Sequence, residues 1–339
     1  MIRVLDTTLR DGGHLIDGRF TKGEFRKIVA DLASSGIDYI EVAWLGPHEM
    51  SEFSTFCSAL DWIEEELGQV DLGDSKLLFL VRPDQTRAMD VRHISGGVLK
   101  TARLAFYHKH IEILRHEIQA WQDLGVEVWL NPIDTPGYSS EEILDVIELA
   151  NKSMVRCVSI VDTYGALTID KLDSIYHQFS LGLHPEISIG LHSHDNIQLS
   201  LALATHFIQM ADDSRDRVVD ASLLGMGRAP GNLKLELLIP VLNQIAPLKT
   251  YDLNPILSAL DSAILPIYNR KPWGYNVLYA YGALLSIDRS YAEKLLEQST
   301  LPLVNQVSVL NRISLMGPET RAFSQGVLQR ALEAERETS

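Results

Sequence analysis

The sequence predicts a (β/α)₈ barrel followed by a helical appendage. Eight short apolar runs alternate with amphipathic stretches of helical period over roughly 245 residues, which is the count and length of such a barrel. Polar and charged residues gather just after the apolar runs, where a barrel keeps its chemistry. The loop at 6–14 lacks the GxGxxG spacing that a doubly wound sheet, the alternative for alternating strands and helices, usually carries after its first strand.

In chain order the strands fall at 2–5, 39–43, 77–81, 101–106, 126–130, 157–161, 187–191 and 218–222. The first helix is the clearest, because Phe25, Ile28, Val29 and Leu32 recur at i, i+3, i+4 and i+7. Thr21 and Glu24 form a capping box at its start, and Gly36 supplies a left-handed cap at its end. Runs at 141–150, 172–179 and 199–210 read the same way, whereas the third helix, at 89–97, is short and weakly patterned. From 249 onward the pattern changes. Pro255, Pro266 and Pro272 punctuate short helical pieces, and 277–285, 291–298 and 323–334 read as helices with no strand among them. Residues 1–248 are therefore expected to form the barrel and 249–339 a helical appendage with a polar, frayed end at 333–339.

The chain has 339 residues, 46% hydrophobic and 22% charged, an ordinary globular composition. Its net charge of −15 repels nucleic-acid backbones and anionic lipid headgroups, so neither partner is expected. It leaves room for a small anionic substrate, since a local cationic pocket overrides the global field. No uncharged run approaches the about 18 residues that cross a membrane, and no signal peptide is visible, so the expected compartment is the cytoplasm. Cys57 and Cys157 lie in apolar surroundings and read as buried thiols. The apolar appendage points to a homo-oligomer.

Nearly every strand ends in residues a core would not want. The first gives Asp6, Arg10, Asp11 and His14; the second carries Glu41 inside an apolar run, costly unless the charge is paired or functional. Arg82 and Asp84, His108, Asn131 and Asp134, and Asp162 follow the next four. Asn131, Asp162 and Asn232 are candidates for substrate contact. The seventh strand ends in Leu191-His192-Ser193-His194-Asp195-Asn196. Alternate strand residues face one side, so His192 and His194 can hold one metal ion together. Two imidazoles favour a carboxylate as third ligand, and Asp11 lies just past strand one, which a closed barrel brings close to strand seven. The remaining positions would stay open, as in catalytic sites.

The motifs Asp6-Thr7-Thr8-Leu9-Arg10-Asp11-Gly12, Ile40-Glu41-Val42, Leu191-His192-Ser193-His194-Asp195-Asn196 and Gly225-Met226-Gly227-Arg228-Ala229-Pro230-Gly231-Asn232 resemble those of the DRE-TIM metallolyases. That superfamily includes 3-hydroxy-3-methylglutaryl-CoA lyase, the isopropylmalate and homocitrate synthases and 4-hydroxy-2-oxovalerate aldolase. The resemblance implies a divalent ion, Mn²⁺ or Mg²⁺, on Asp11, His192 and His194. It implies that Arg10 stabilises an enolate oxygen and that Glu41 orients groups near the metal. Gly13-His14 stands where the synthases carry Glu-Gln, and the aldolases carry their catalytic base at the position of His14. The loop at 225–232 lacks the cysteine of the hydroxymethylglutaryl-CoA lyases, and no long regulatory domain follows the barrel.

These features point to the aldolase branch, which supplies an active-site tyrosine near 273–279; Tyr275 and Tyr279 are both candidates. The implied reaction is cleavage of a 4-hydroxy-2-oxo acid to pyruvate and an aldehyde, with an aldehyde dehydrogenase as the partner the branch suggests. His14, with an ordinary imidazole pKa, would be the base. The rivals are a Claisen-type acyltransferase joining acetyl-CoA to a 2-oxo acid, a Schiff-base mechanism on Lys100, and a non-catalytic metal-binding barrel.

Overall fold

The computed structural model describes residues 1–49, 52–91, 97–210, 215–228, 230–246, 248–317, 320 and 322–338. Among the described residues nine parallel strands are present: β1 (Ile2–Asp6), β2 (Tyr39–Leu45), β3 (Phe56–Cys57), β4 (Lys76–Val81), β5 (Leu99–Phe106), β6 (Glu127–Pro132), β7 (Cys157–Asp162), β8 (Ser188–Ser193) and β9 (Arg217–Ala221). Their order is β1-β9-β8-β7-β6-β5-β4-β2-β3, and β1 also pairs with β2. That pairing closes an eight-stranded barrel, with Leu5 opposite Tyr39 on one side of β1 and opposite Asp220 on the other. The expected strands are all found. β3 is additional: two residues that extend the sheet beyond β2, pairing Trp44 with Phe56.

The helices between strands are α1 (Lys22–Ser34), α2 (Asp61–Leu67), α3 (Ile111–Asp123), α4 (Ser140–Ser153), α5 (Ile169–Gly182), α6 (Ser200–Gln209) and α7 (Leu235–Ile245). Helix α1 forms as its pattern requires. The Thr21 hydroxyl accepts from the Glu24 N–H, the Glu24 carboxylate accepts from the Thr21 N–H, and Gly36 sits at φ +83°. Phe25, Ile28, Val29 and Leu32 are fully buried against the barrel. Between β4 and β5 the only described helical turn is a 3₁₀ piece, Ala88–Asp90; of the helix expected at 89–97, residues 92–96 lie outside the described residues.

Beyond the barrel come α8 (Leu253–Ala259), α9 (Leu265–Arg270), α10 (Val277–Leu284), α11 (Arg289–Gln298), α12 (Leu303–Ser314) and α13 (Gln325–Thr338). Ile256, Ala259, Ile264 and Ile267 of the first part join the barrel's own core. A second core begins at Leu278 and gathers Tyr291, Leu295, Leu310, Ile313, Leu328 and Ala331. Helix α12 is absent from the pattern-based expectation although Val309, Leu310 and Ile313 form its buried stripe. The frayed end expected from 333 is instead helical to Thr338, because Glu335 is tied to Asn305, Ser308 and Arg312 of α12. No described helix is long and apolar enough to cross a membrane. Cys57 and Cys157 are free and buried, as expected.

Inside the barrel the side chains form layers. One is an apolar plug of Leu5, Tyr39, Leu78, Trp129, Cys157 and Val218. Above it lies a charged layer centred on Arg103, which is fully buried. Its Nη2 donates to Asp220 Oδ2 at 2.7 Å, its Nε donates to Asn131 Oδ1 at 3.2 Å, and its Nη1 stands 3.3 Å from Glu41 Oε2 as an ion pair. Gly190 makes room for this layer: a Cβ there would lie 2.6 Å from Ser159 Oγ, itself 3.5 Å from Arg103 Nη2. Removing one partner from a buried ion network leaves uncompensated charge, costing about 3–5 kcal/mol. Arg103→Met should therefore lower the unfolding free energy by that amount in urea titration; a loss under about 1 kcal/mol would refute the role given to this layer.

Candidate active site

The mouth of the barrel at the C-terminal ends of the strands opens into a cavity of about 150 Å³. Arg10, Asp11, His14, Asn131, His192 and His194 all line it. Asp11, His192 and His194 are buried, and each offers one ligand atom within 4.8 Å of the others. The donor set, two imidazoles and a carboxylate, is the borderline mixture that suits a divalent first-row ion. Each ring is also oriented for that task. His192 Nδ1 is 2.9 Å from Asp220 Oδ2, and His194 Nδ1 is 3.3 Å from the Gly231 carbonyl, leaving Nε2 of both rings as the ligand nitrogen. Burial alone would raise the Asp11 carboxyl, but Arg10 and the two imidazoles hold it well below the usual carboxylate range. Burial pushes His194 down to about 3, so the ring is neutral and ready to ligate.

Arg10 reaches this group from the loop after β1. Its Nη1 donates to Asp11 Oδ1 at 2.6 Å and its Nε to Glu41 Oε2 at 2.5 Å. Nη2 has no protein partner among the described residues. Glu41 is fully buried and touches Arg10 and Arg103, so it orients guanidinium groups; it does not line the cavity. Asn232 donates from Nδ2 to Asp11 Oδ2 at 2.8 Å and to the Met226 carbonyl at 3.0 Å, which places it behind the carboxylate. Gly231 sits at φ +106°, and a Cβ there would lie 2.1 Å from the Gly225 carbonyl oxygen, so only glycine lets this loop present its carbonyl to His194.

His14 stands at the cavity's edge against aromatic rings, 4.9 Å from Phe56 and 5.2 Å from Trp44 between centroids. It is not an ordinary imidazole. Burial lowers its pKa from 6.5 to about 3, and Arg228 and Arg10 add to the fall while Asp11 opposes it. Asp162 is placed away from the cavity. Its Oδ1 accepts from the Ala166 and Leu167 N–H groups, it shapes the loop between β7 and α5, and burial raises its carboxyl to about 7. Tyr275 and Tyr279 line a larger adjoining cavity of about 640 Å³, not the one holding the Asp-His-His group; His14 and Arg228 line both. Trp129 belongs to the apolar plug and Tyr164 to a third cavity, so of the aromatic residues near the mouth Trp44 and Tyr107 shape the site.

Sequence reasoning missed four residues of this arrangement. Arg103 and Asp220 carry the signal that marked Glu41, a charge within an apolar strand. Arg228 lay inside a recognised motif without a role. Arg289, from the start of α11, lines the cavity and has no local signal at all.

Residues 1–262 match the HMGL-like family. The chain belongs to that family. The resemblance to the DRE-TIM metallolyases read from four motifs is thereby borne out. Among relatives, the oxaloacetate decarboxylase of Mycobacterium tuberculosis is 26% identical over 283 residues, 81% of this chain and 79% of its own. The 4-hydroxy-2-oxovalerate aldolase of Geobacillus genomosp. 3 is 27% identical over 269 residues, 78% of this chain and 77% of its own. Among solved structures, the N-terminal domain of a Bacteroides vulgatus protein assigned as an aldolase superposes with a TM-score of 0.75 at 24% identity, covering 88% of this chain and 97% of that one. The carboxyl transferase domain of Rhizobium etli pyruvate carboxylase gives 0.71 at 13% identity over 99% of this chain and 62% of that one. Both structures share the fold of this HMGL-like barrel.

Two outcomes are expected of the site. Asp220→Asn weakens the hold on His192 and should lower Mn²⁺ affinity about 10–100-fold in calorimetric titration; unchanged affinity would remove Asp220 from the metal's support. His14 takes no proton in the folded chain until about pH 3, whereas in the unfolded chain it titrates near 6.5. Between those values the unfolded state binds more protons, so the stability His14 contributes is present above 6.5 and lost as pH falls. His14→Phe should flatten the decline in Tm between about pH 6.5 and pH 4, and an unaltered slope would contradict the burial assigned to this ring.

Proposed function

We propose that the chain is a divalent-metal-dependent aldolase that cleaves a 4-hydroxy-2-oxo acid to pyruvate and an aldehyde. It is a carbon–carbon lyase acting on a small 2-oxo acid. The observation that carries the reading is that a neutral histidine, a guanidinium with a free nitrogen and an Asp-His-His ligand group line one small cavity. Asp11, His192 and His194 would hold the ion, Mn²⁺ or Mg²⁺. When bound, the ion supplies Lewis acidity toward the oxo-acid end of the substrate.

The residues of the chain do the rest. His14 accepts the proton of the 4-hydroxyl through a neutral ring nitrogen. As that proton leaves, the C4–O bond becomes a carbonyl, the C3–C4 bond breaks and its electron pair moves to the C2 oxygen, giving pyruvate enolate and the aldehyde. Arg10 Nη2 donates to the developing oxyanion, and Glu41 and Asp11 hold its guanidinium in place from behind. The proton taken by His14 is the one C3 of the enolate needs to become pyruvate. The low proton affinity of His14 makes it a weak base that returns this proton readily. Decarboxylation, the activity in the name of one relative, needs no base at this place. The His14 position therefore favours the aldolase over that second reading.

EDTA should abolish cleavage and Mn²⁺ restore it, with pyruvate plus borohydride causing no inactivation. His14→Asn should lower kcat by about 10²–10⁴-fold. A lysine adduct trapped by borohydride, or CoA released from acetyl-CoA with 2-oxo acids but no aldol cleavage, would sink the reading.

A further inference from the structure

Four guanidinium groups line the 150 Å³ cavity: Arg10, Arg82, Arg228 and Arg289. In a chain of net charge −15 this concentration is local and specific. Two of the four are already neutralised. Arg10 is paired with Glu41 and Asp11, and Arg82 is held in a two-pronged pair by Asp84 at 3.2 and 2.8 Å. The other two are less fully paired. Arg228 makes no ion pair or hydrogen bond among the described residues. Arg289 is ion-paired with Glu293, whose carboxylate stands 3.7 Å from its Nε, beyond hydrogen-bond distance, and lines the neighbouring cavity together with Arg228. Arg228 comes from the loop after β9, and Arg289 is the first residue of α11 in the appendage. Two separate elements thus bring cations to one wall. Burial and the nearness of Arg289 disfavour the charge on Arg228, and the carboxylates of Glu293, Asp11 and Asp288 offset only part of this, so an anion between the two guanidinium groups would be favoured.

We propose that Arg228 and Arg289 bind a second anionic group on the substrate, so that the fragment leaving as the aldehyde carries a carboxylate or phosphate. This rests on the aldolase reading for the first anionic end, which the ligand group and Arg10 occupy. In so small a cavity the far end of a short oxo acid meets these two side chains. The methyl group of 4-hydroxy-2-oxovalerate, the substrate in several relatives' names, would offer neither guanidinium an acceptor. A carboxylate or phosphate accepts forked hydrogen bonds from both. The appendage therefore contributes a specificity-determining residue, while the barrel holds the reaction.

The test compares three substrates on the Mn²⁺-loaded protein: 4-hydroxy-2-oxovalerate, 4-hydroxy-2-oxoglutarate and 5-phosphorylated 4-hydroxy-2-oxopentanoate. Calorimetric binding of 2-oxoglutarate and 2-oxopentanoate runs alongside and needs no cleavage. At least one substrate with an anionic far end should exceed 4-hydroxy-2-oxovalerate by about 10²-fold or more in kcat/KM, because a site built for polar contact rejects the analogue lacking it. Whichever charged substrate leads identifies carboxylate or phosphate as the source. Arg228→Met and Arg289→Met should each shrink that ratio at least about tenfold, the share expected of one charge-assisted contact. If 2-oxoglutarate binds about tenfold or more tighter than 2-oxopentanoate while no substrate is cleaved, the anion site stands and the aldolase reading fails. If 4-hydroxy-2-oxovalerate is cleaved as well as both charged substrates and 2-oxoglutarate binds no tighter, the aldolase stands and this inference is overturned. It is also overturned if the variants weaken charged and neutral compounds alike, or if nothing is cleaved and binding shows no difference.

Discussion

The site depends on one buried cation. Arg103 is buried in the barrel without solvent contact, ion-paired to both Asp220 and Glu41. Burial alone would disfavour its charge, but the two carboxylates outweigh that and raise its proton affinity. From this centre one arm runs through Asp220 to Nδ1 of His192, and the other through Glu41 to Nε of Arg10. The Asp-His-His group and Arg10 are thus referenced to the same guanidinium. In a low-dielectric interior such contacts are strong and leave little freedom, which is the preorganisation that electrostatic catalysis requires.

The layers around that cation divide the work. The plug of Leu5, Tyr39, Leu78, Trp129, Cys157 and Val218 packs beneath the charged layer as a buried apolar cluster. Above it, the loops after β1, β8 and β9 bring their polar residues together. The Thr8 hydroxyl accepts from the Leu223 N–H, and Asn232 ties the last loop to Asp11. Trp273, just before the second core, donates from its indole to the Leu224 carbonyl and pins that loop. The appendage is therefore continuous with the mouth of the site, and Arg289 extends it into the cavity.

His14 shows how surroundings change a role that residue type suggests. An ordinary imidazole would be poised near neutral pH, but Trp44 and Phe56 wrap this one in apolar surface and three guanidinium groups, of Arg228, Arg10 and Arg289, act on it. The ring stays neutral, able to accept a proton only from a group that is itself being stabilised as it loses one. Asp162 makes the complementary point. It stands at a strand end like the functional residues, yet the N–H groups it receives come from its own loop, and its effect is local.

What the sequence determined by itself was set by local and periodic rules. Alternation of apolar runs with helical stripes specified the barrel, the Thr21–Glu24 box specified the start of α1, and period-two geometry put His192 and His194 on one face of a strand. Asp11 followed because a closed barrel brings β1 beside β9 and β9 beside β8. Tertiary structure alone decided matters that depend on distance between remote segments. Arg103 and Asp220 are 117 positions apart and meet only because inward side chains of β5 and β9 share a layer. The two-residue β3 and the contact between α12 and α13 are equally non-local. Arg289, in an exposed-looking helix start, becomes part of the cavity only through the packing of the appendage on the barrel. Sequence period records which way a side chain points along its own element; which charge it will face across the barrel is set by closure and packing.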